Sequence, residues 1–194
     1  MKPLYMWAGG KTKLIKSFEP YLPNDFSSYY EPFFGAGAMF IWAYNKNPSA
    51  KFHINDINPH IMSIYRTIRD DLPGFVSFVD HYERKYLALD PPMRKMKTST
   101  SGREKTVWVP HPHGSPDKEL EKSHKQGNIY SWKEIHKKRP SRRTLFYLIR
   151  QKYQEQRHTW SPTRDSATLY FLMKTAFNGV WQLGKDEYGK FNTP

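Results

Sequence analysis

Between Thr12 and Leu89 the spacing of apolar residues switches repeatedly between a helical and an extended period. In "TKLIKSFEPYL" the apolar residues Leu14, Ile15, Phe18 and Leu22 recur at helical spacing. The aromatic run "SSYYEPFF", bounded by polar residues and glycine, predicts a strand. "AMFIWAYNKN" is apolar almost all round, which predicts a buried helix closing at Asn45 to Pro48. "KFHIND" alternates and ends on acids, as a second strand would. "PHIMSIYRTIRD" places Pro59 in a first helical turn and Ile61, Ile64, Tyr65 and Ile68 on one face. "PGFVSFVDHYERKYLAL" predicts another helix. Strand, helix, strand, helix in that order predicts a parallel sheet with a right-handed crossover, in a compact α/β part spanning 1–89.

From 90 to 141 the periodicity fades and Lys, Arg, Ser, Pro and His dominate. "VWVPHPHG" and "GNIYSW" predict short strands or loops within an inserted or mobile basic region, not a second core. Helical spacing returns over 142–194, in "RRTLFYLIRQKYQEQ" and then "SATLYFLMKTAFNG". For the latter, Asp165 or Ser166 is the expected N-cap, and Gly179 lies near its end. "VWQLGKDEYGKFNTP" predicts a hairpin with its turn at Lys-Asp-Glu-Tyr-Gly.

Charge changes this picture more than composition does. The 194 residues carry a formal charge of +13. Between Arg94 and Arg143 there are fourteen Lys and Arg against five Asp and Glu. Charge gathered in one segment points to a polyanionic partner more than to a solubilising coat. "HKKRPSRR" is the strongest phosphate-contact segment, through Lys138, Arg139, Arg142 and Arg143; a solvated helix start is the other explanation for it. No apolar run approaches the ~20 residues of a membrane span. No h-region of a secretory signal opens the sequence. There is no cysteine, which excludes disulfides and thiolate metal sites and fits an intracellular, cytoplasmic setting. His111 and His113 with His124 or His136 lack the acid or cysteine pattern of a metal site, so no metal is expected.

Gly35 and Gly37 stand between the first predicted strand and an apolar helix, the place of a nucleotide-type turn. Phe40 occupies the third glycine position of the dinucleotide pattern, which argues against a pyrophosphate and for a ligand approached closely by backbone. Asp56, at the end of the second strand, is placed to accept both hydroxyls of a ribose, and Glu31 to face a cationic group. S-adenosylmethionine has these groups and no phosphate. The plainer alternative is a tight turn, with Asp56 capping the next helix. In "MWAGGK", Gly9 and Gly10 allow close backbone approach, Lys11 suits a carboxylate and Trp7 a packing role beside a ligand. Taken singly, Trp7 also suits a core and Lys11 a solvated surface.

Four motifs in order, "MWAGGKTKLI", "EPFFGAGAMF", "NDINPHIMSIYRTI" and "FNGVWQLGKDEYGKFNTP", resemble the Dam-type (class alpha) DNA adenine-N6 methyltransferases. The resemblance covers roughly 5–72 and 142–194. It implies a Rossmann-like, doubly wound methyltransferase sheet with a helical and hairpin DNA-recognition lobe, S-adenosylmethionine as methyl donor and double-stranded DNA as substrate. It implies that Trp7, Gly9 and Lys11 lie beside the cofactor, that Glu31, Phe33, Phe34, Gly35 and Gly37 form its loop, and that Asp56 and Ile57 hold its ribose and border its adenine. Phe177, Asn178, Gly179, Val180 and Gln182 match the start of the DNA-reading hairpin, and Phe191, Asn192 and Pro194 its end. Gln182 stands where arginine is common in the family, which shifts the expected preference from guanine towards adenine. Met6 stands where a basic residue is common.

The family's catalytic Asp-Pro-Pro-aromatic motif follows the recognition hairpin, so its expected place is after Pro194 and it is not among these residues. In the family it binds the flipped adenine and prepares N6 for direct attack on the methyl group. "LDPPM" at Asp90 is a second candidate, but Met93 offers no aromatic face and the segment precedes the hairpin; a helix end is the alternative. The 194 residues alone are therefore expected not to catalyse methyl transfer. The alternatives are a DNA-binding remnant without catalysis, one half of a split enzyme completed by a second chain, and an enzyme acting on RNA.

Overall fold

The computed structural model describes residues 2–7, 9–89, 93–100, 103–110, 132–138, 140–176, 181–183 and 189–191. Two short strands, β1 (Ser28–Glu31) and β2 (Lys51–Ile54), pair in parallel, Ser28 opposite Lys51 and Glu31 opposite Ile54. Helix α2 (Ala38–Lys46) connects them. Tyr29, Glu31, Phe52 and Ile54 share the half-buried face of the pair, while Ser28, Tyr30, Lys51 and His53 share the exposed one. α2 packs on the former, its Phe40 ring edge-on to Phe52 at 5.2 Å.

The expected burial of α2 is only half met: Ala38 and Ala43 are buried, Met39 to Trp42 half-buried and Tyr44 exposed. A described sheet two strands wide cannot cover a helix that is apolar on every side. Its outer face is tied instead to the N-terminal segment, where Glu19 meets Lys46 at 2.8 Å and the Trp42 indole at 3.4 Å. That segment is broken into a 3₁₀ turn at Lys11–Lys13, a single helical turn α1 (Ile15–Phe18) and a second 3₁₀ turn at Glu19–Tyr21. Pro20 withholds an N–H and no side chain caps the turn, so the helical spacing does not grow into a long helix.

Most of the core is helical. α3 (Pro59–Asp70) buries Ile61, Met62, Ile64 and Thr67, and α4 (Leu72–Leu87) starts on the Asp71 carboxylate. α5 (Trp132–Lys138) and α6 (Arg142–Gln156) follow, the latter opened by a Ser141–Thr144 capping box. α7 (Pro162–Thr175) is capped by Ser161, not by Asp165 or Ser166 as the sequence suggested, because Pro162 already occupies its first turn. Ser166 is instead fully buried, its hydroxyl 2.9 Å from that of Ser63 and accepting from Thr67 at 3.0 Å, which locks α7 onto α3. Phe146, Tyr153, Leu169, Leu172 and Met173 fill the space between α3, α4, α6 and α7. Burial of each large apolar side chain contributes ~1.5–3 kcal/mol. Trp132 and Ile135 of α5, at the end of the basic segment, join this core, Trp132 stacking on Tyr147 at 4.2 Å.

Two antiparallel ribbons complete the described structure. β3 (Met93–Thr100) pairs with β4 (Arg103–Pro110) over eight positions, and β5 (Trp181–Leu183) pairs with β6 (Gly189–Phe191), the hairpin expected at that place. The whole is a mixed, mostly helical fold with a small parallel sheet, compatible with part of a methyltransferase fold. Among the described residues no helix is long and apolar enough to cross a membrane.

Candidate cofactor site

A cavity of about 930 Å³ opens beyond the C-terminal ends of β1 and β2, the end of a parallel sheet where ligands bind. Its floor is the turn after β1. There Gly35 and Gly37 take φ of +52° and +72°, values that favour glycine. Phe34 N donates to Asn55 O at 2.9 Å and Gly37 N to Phe34 O at 2.8 Å. Space enforces glycine as well. A Cβ at Gly35 would lie 2.9 Å from Trp7 Cδ1, and one at Gly37 2.6 Å from Phe34 Cζ.

Asp56 holds the turn from β2. Its Oδ2 accepts from Gly35 N at 2.8 Å and its Oδ1 from Asn58 N at 2.9 Å. The helix-capping alternative for Asp56 is not met: Asn58 caps α3, accepting from the amides of His60 and Ile61. From the other side, the buried Tyr5 hydroxyl donates to Gly35 O at 3.0 Å. Burial pushes that phenol well above its ordinary pKa, so it remains a donor.

Of the ten residues expected at a cofactor, nine line this cavity: Trp7, Gly9, Lys11, Glu31, Phe33, Phe34, Gly35, Asp56 and Ile57. Gly37 does not; it is the N-cap of α2. Phe33 and Ile57 are 83% and 90% exposed, so two large apolar side chains stand at the mouth. Glu31 lies deeper, accepting from the Tyr29 hydroxyl at 2.8 Å, and burial raises its carboxyl above the usual range. A cation placed beside it would recover the cost of that desolvated charge. Tyr5, Met6 and Lys174 also line the cavity and were missed. An aromatic two positions before Trp7 was a usable signal for Tyr5. Nothing local marks Lys174, which arrives from the last turn of α7.

The basic segment is divided by the fold. Arg142 donates through Nε to Tyr86 O and Leu89 O at 3.1 and 3.0 Å and lies over the Tyr86 ring, closing the C-terminus of α4. Arg143 is 8% exposed, its guanidinium over Tyr147. Both are occupied by the protein rather than presented as a phosphate-contact strip, because α6 turns this face onto α4 and α5. Lys138 ends α5, and Gln182 sits on β5 opposite Lys190. Arg139, Phe177, Asn178, Gly179, Val180 and Asn192 lie outside the described residues. So do both positions tied to the catalytic motif: Asp90, the second candidate for it, and Pro194, after which it is expected. His136 Nδ1 is 2.8 Å from Thr144 Oγ1. No cluster of three potential metal ligands occurs among the described residues.

The family profile of D12 class N6 adenine-specific DNA methyltransferases matches residues 7–97. Along its whole length the chain is 23% identical to the Type II methyltransferase M.MjaIII of Methanocaldococcus jannaschii, covering 52% of that protein. It is 38% identical over 68 residues to the Type II methyltransferase M.CviBI of Paramecium bursaria Chlorella virus NC1A, which is 35% of this chain and 25% of that one. With the DNA adenine methylase of Haemophilus influenzae it shares 32% identity over 75 residues, 39% of this chain and 25% of the other. The chain thus spans at most about half the length of these relatives. The glycine turn, both flanking acids and the other expected cofactor residues of the cavity fall inside the matched segment, so the part of the chain that builds most of this cavity is the part similar to the D12 class N6 adenine-specific DNA methyltransferases.

Proposed function

We propose that this chain provides the S-adenosylmethionine site and part of the DNA-reading lobe of a site-specific DNA adenine-N6 methyltransferase. The observation that carries the proposal is the convergence of nine expected cofactor residues on one cavity at the C-terminal end of the parallel strands. The residues fit the group. A turn that a Cβ would fill admits a ligand flat against backbone. Each Asp56 oxygen, after accepting one backbone N–H, keeps a lone pair for a ribose hydroxyl. Glu31 and Lys11 offer opposite charges for an ammonium and a carboxylate. Phe33 and Ile57 would sandwich the adenine and so lose their exposure.

When bound, S-adenosylmethionine supplies an electrophilic methyl group. The residues of this chain orient it: Asp56, itself held by the Gly35 amide, fixes one end, Glu31 and Lys11 the other, and Trp7 closes the side. In the proposed architecture β1 and β2 are two strands of a Rossmann-like sheet. Residues 1–89 form the cofactor part and 142–194 the recognition helices and hairpin. Residues 90–141 form a basic insertion whose last helix, α5, packs on α6. Double-stranded DNA is the proposed substrate. Gln182 and the residues matching the hairpin, Asn178, Gly179, Val180 and Asn192, are its proposed readers, with Lys138 and Arg139 on phosphates. The Asp-Pro-Pro-aromatic motif that would hold the flipped adenine belongs, in this proposal, after Pro194 or on a second chain.

Calorimetric titration with S-adenosylmethionine tests the site. Saturable binding that ATP does not displace, and that Glu31→Gln and Lys11→Ala each weaken about tenfold or more, is expected from the loss of ~1.4 kcal/mol or more per contact. No saturable binding by the folded protein refutes the proposal and favours a DNA-binding remnant, which would retain salt-dependent affinity for duplex DNA without cofactor. Methyl transfer to DNA adenine tests the activity: it is expected only when the Asp-Pro-Pro-aromatic motif is supplied, by a longer chain or a second one, and transfer by the 194 residues alone overturns that placement.

A further inference from the structure

The family match ends inside β3, at Lys97, and no cofactor or base-reading role has been given to the β3–β4 ribbon. Its two strands contact each other extensively and other described elements little. They carry Arg94, Lys95, Lys97, Arg103 and Lys105 against a single acid, Glu104. The register sets Arg94, Arg103 and Lys105 on one face and Lys95, Lys97 and Glu104 on the other. Cations on both faces leave no side that can be laid on an apolar core without burying charge. A two-stranded ribbon standing by itself is marginally stable in water, and a surplus of like charge weakens it further. Both costs are removed by a polyanion. Eight paired residues extend ~27 Å at ~3.4 Å each, and the major groove of duplex DNA is wide enough to admit a two-stranded ribbon.

We propose that β3–β4 is a second DNA-contacting element, a basic ribbon that grips the phosphates of duplex DNA without regard to sequence, separate from the β5–β6 hairpin. The proposal rests on DNA being the substrate, and the test separates the two ideas. Affinity of the full chain for a short duplex of mixed sequence is measured across a range of salt concentrations. Cofactor titration and circular dichroism are run on the same samples. Changing all five cations to Gln should lower the slope of log affinity against log salt by up to about 4.5, at ~0.9 per phosphate contact released. The loss should be equal for cognate and scrambled duplexes, with cofactor binding unchanged. Glu104→Lys, which removes no side chain from the five, should raise the slope by about 1.

An unchanged slope in the five-fold variant, a loss confined to one sequence, or weaker DNA binding by Glu104→Lys overturns the ribbon proposal and leaves the cofactor site standing. Preference for single-stranded RNA with the same dependence on the five residues overturns the duplex assignment. A parent protein that binds the cofactor but no duplex also overturns the ribbon. One that binds duplex through the five residues but no cofactor overturns the enzyme proposal alone.

Discussion

Replacing Gly35 by alanine should damage the site through two separable effects. At φ +52° an alanine pays the left-handed penalty, ~1–2 kcal/mol. Its Cβ would also sit 2.9 Å from Cδ1 and 3.1 Å from Nε1 of Trp7, well inside normal contact. Relief requires the indole to move, and overpacking of this kind costs ~1–3 kcal/mol. The sum, about 2–5 kcal/mol, corresponds to a fall in melting temperature of ~2–4 °C per kcal/mol for a chain of this size. The double variant Trp7→Ala/Gly35→Ala isolates the steric part. With no indole to strike, the second substitution should cost only the backbone penalty, so the two changes should be coupled by about 1–3 kcal/mol in a double-mutant cycle. Denaturant midpoints with unchanged slopes give the energies, and cofactor titration gives the functional consequence. If Gly35→Ala lies within ~0.5 kcal/mol of the parent, or if the cycle is additive, Trp7 does not hold the turn.

Other outcomes follow from the same geometry. Asp56→Ala removes the acceptor of two backbone N–H groups. It should lower stability by about 3 kcal/mol or more, at ~1.5–3 for each bond to a charged group, as well as abolish cofactor binding; Asp56→Asn should fall between. Glu31 has a folded pKa above its unfolded value. Its stabilising contribution is therefore full below the unfolded value and lost as pH rises through the folded one. Urea titrations should thus show stability of the free protein declining with pH across that window, a decline that Glu31→Gln removes. For a cationic ligand the sign reverses, and its affinity should weaken as pH falls into the window. Arg157 and Asp165, with side chains 13% and 15% exposed, form a nearly buried pair. Nε lies 3.0 Å from Oδ1 without hydrogen-bond geometry, while Oδ2 accepts from a terminal guanidinium nitrogen at 3.2 Å. Arg157→Met should cost ~3–5 kcal/mol, and Arg157→Met/Asp165→Leu should restore most of it in thermal unfolding.

The elements that sequence periodicity located are those whose partner surface is one broad face: β1, β2, α3, α4, α6 and α7. In α3, for example, Ile61 and Ile64 are buried as their spacing required. Elements whose environment is set from far along the chain were read less well. α2 looks the same to a local pattern whether one face or all of it is covered, and here the covering is partial. β3, with Arg94, Lys95, Lys97 and three hydroxyl residues, has no apolar alternation to announce it; only its backbone pairing with β4 makes it a strand. α5 hides a core aromatic, Trp132, behind a charged helix. Within the site, the glycine turn and its acids were legible because strained backbone restricts residue type locally. Lys174 was not, since it reaches the cavity only after α7 has packed against α3 and α4. Arg142 and Arg143 show the converse: a charge run read as an outward face becomes, after helix packing, a cap and a buried stack.

The double engagement of Asp56 has a consequence for descent. One carboxylate closes the glycine turn and starts the bend into α3, so it is needed for the chain to fold before any ligand arrives. If the proposed function holds, a lineage that abandoned methylation would still be selected to keep this acid, and with it a hollow of the right shape. Among such descendants the position would stay invariant while Glu31, whose desolvation the Tyr29 hydroxyl and the Phe40 amide do not fully offset, would drift first. In a comparison of descendants, loss of the acid at position 31 would then date the loss of chemistry more faithfully than anything at position 56.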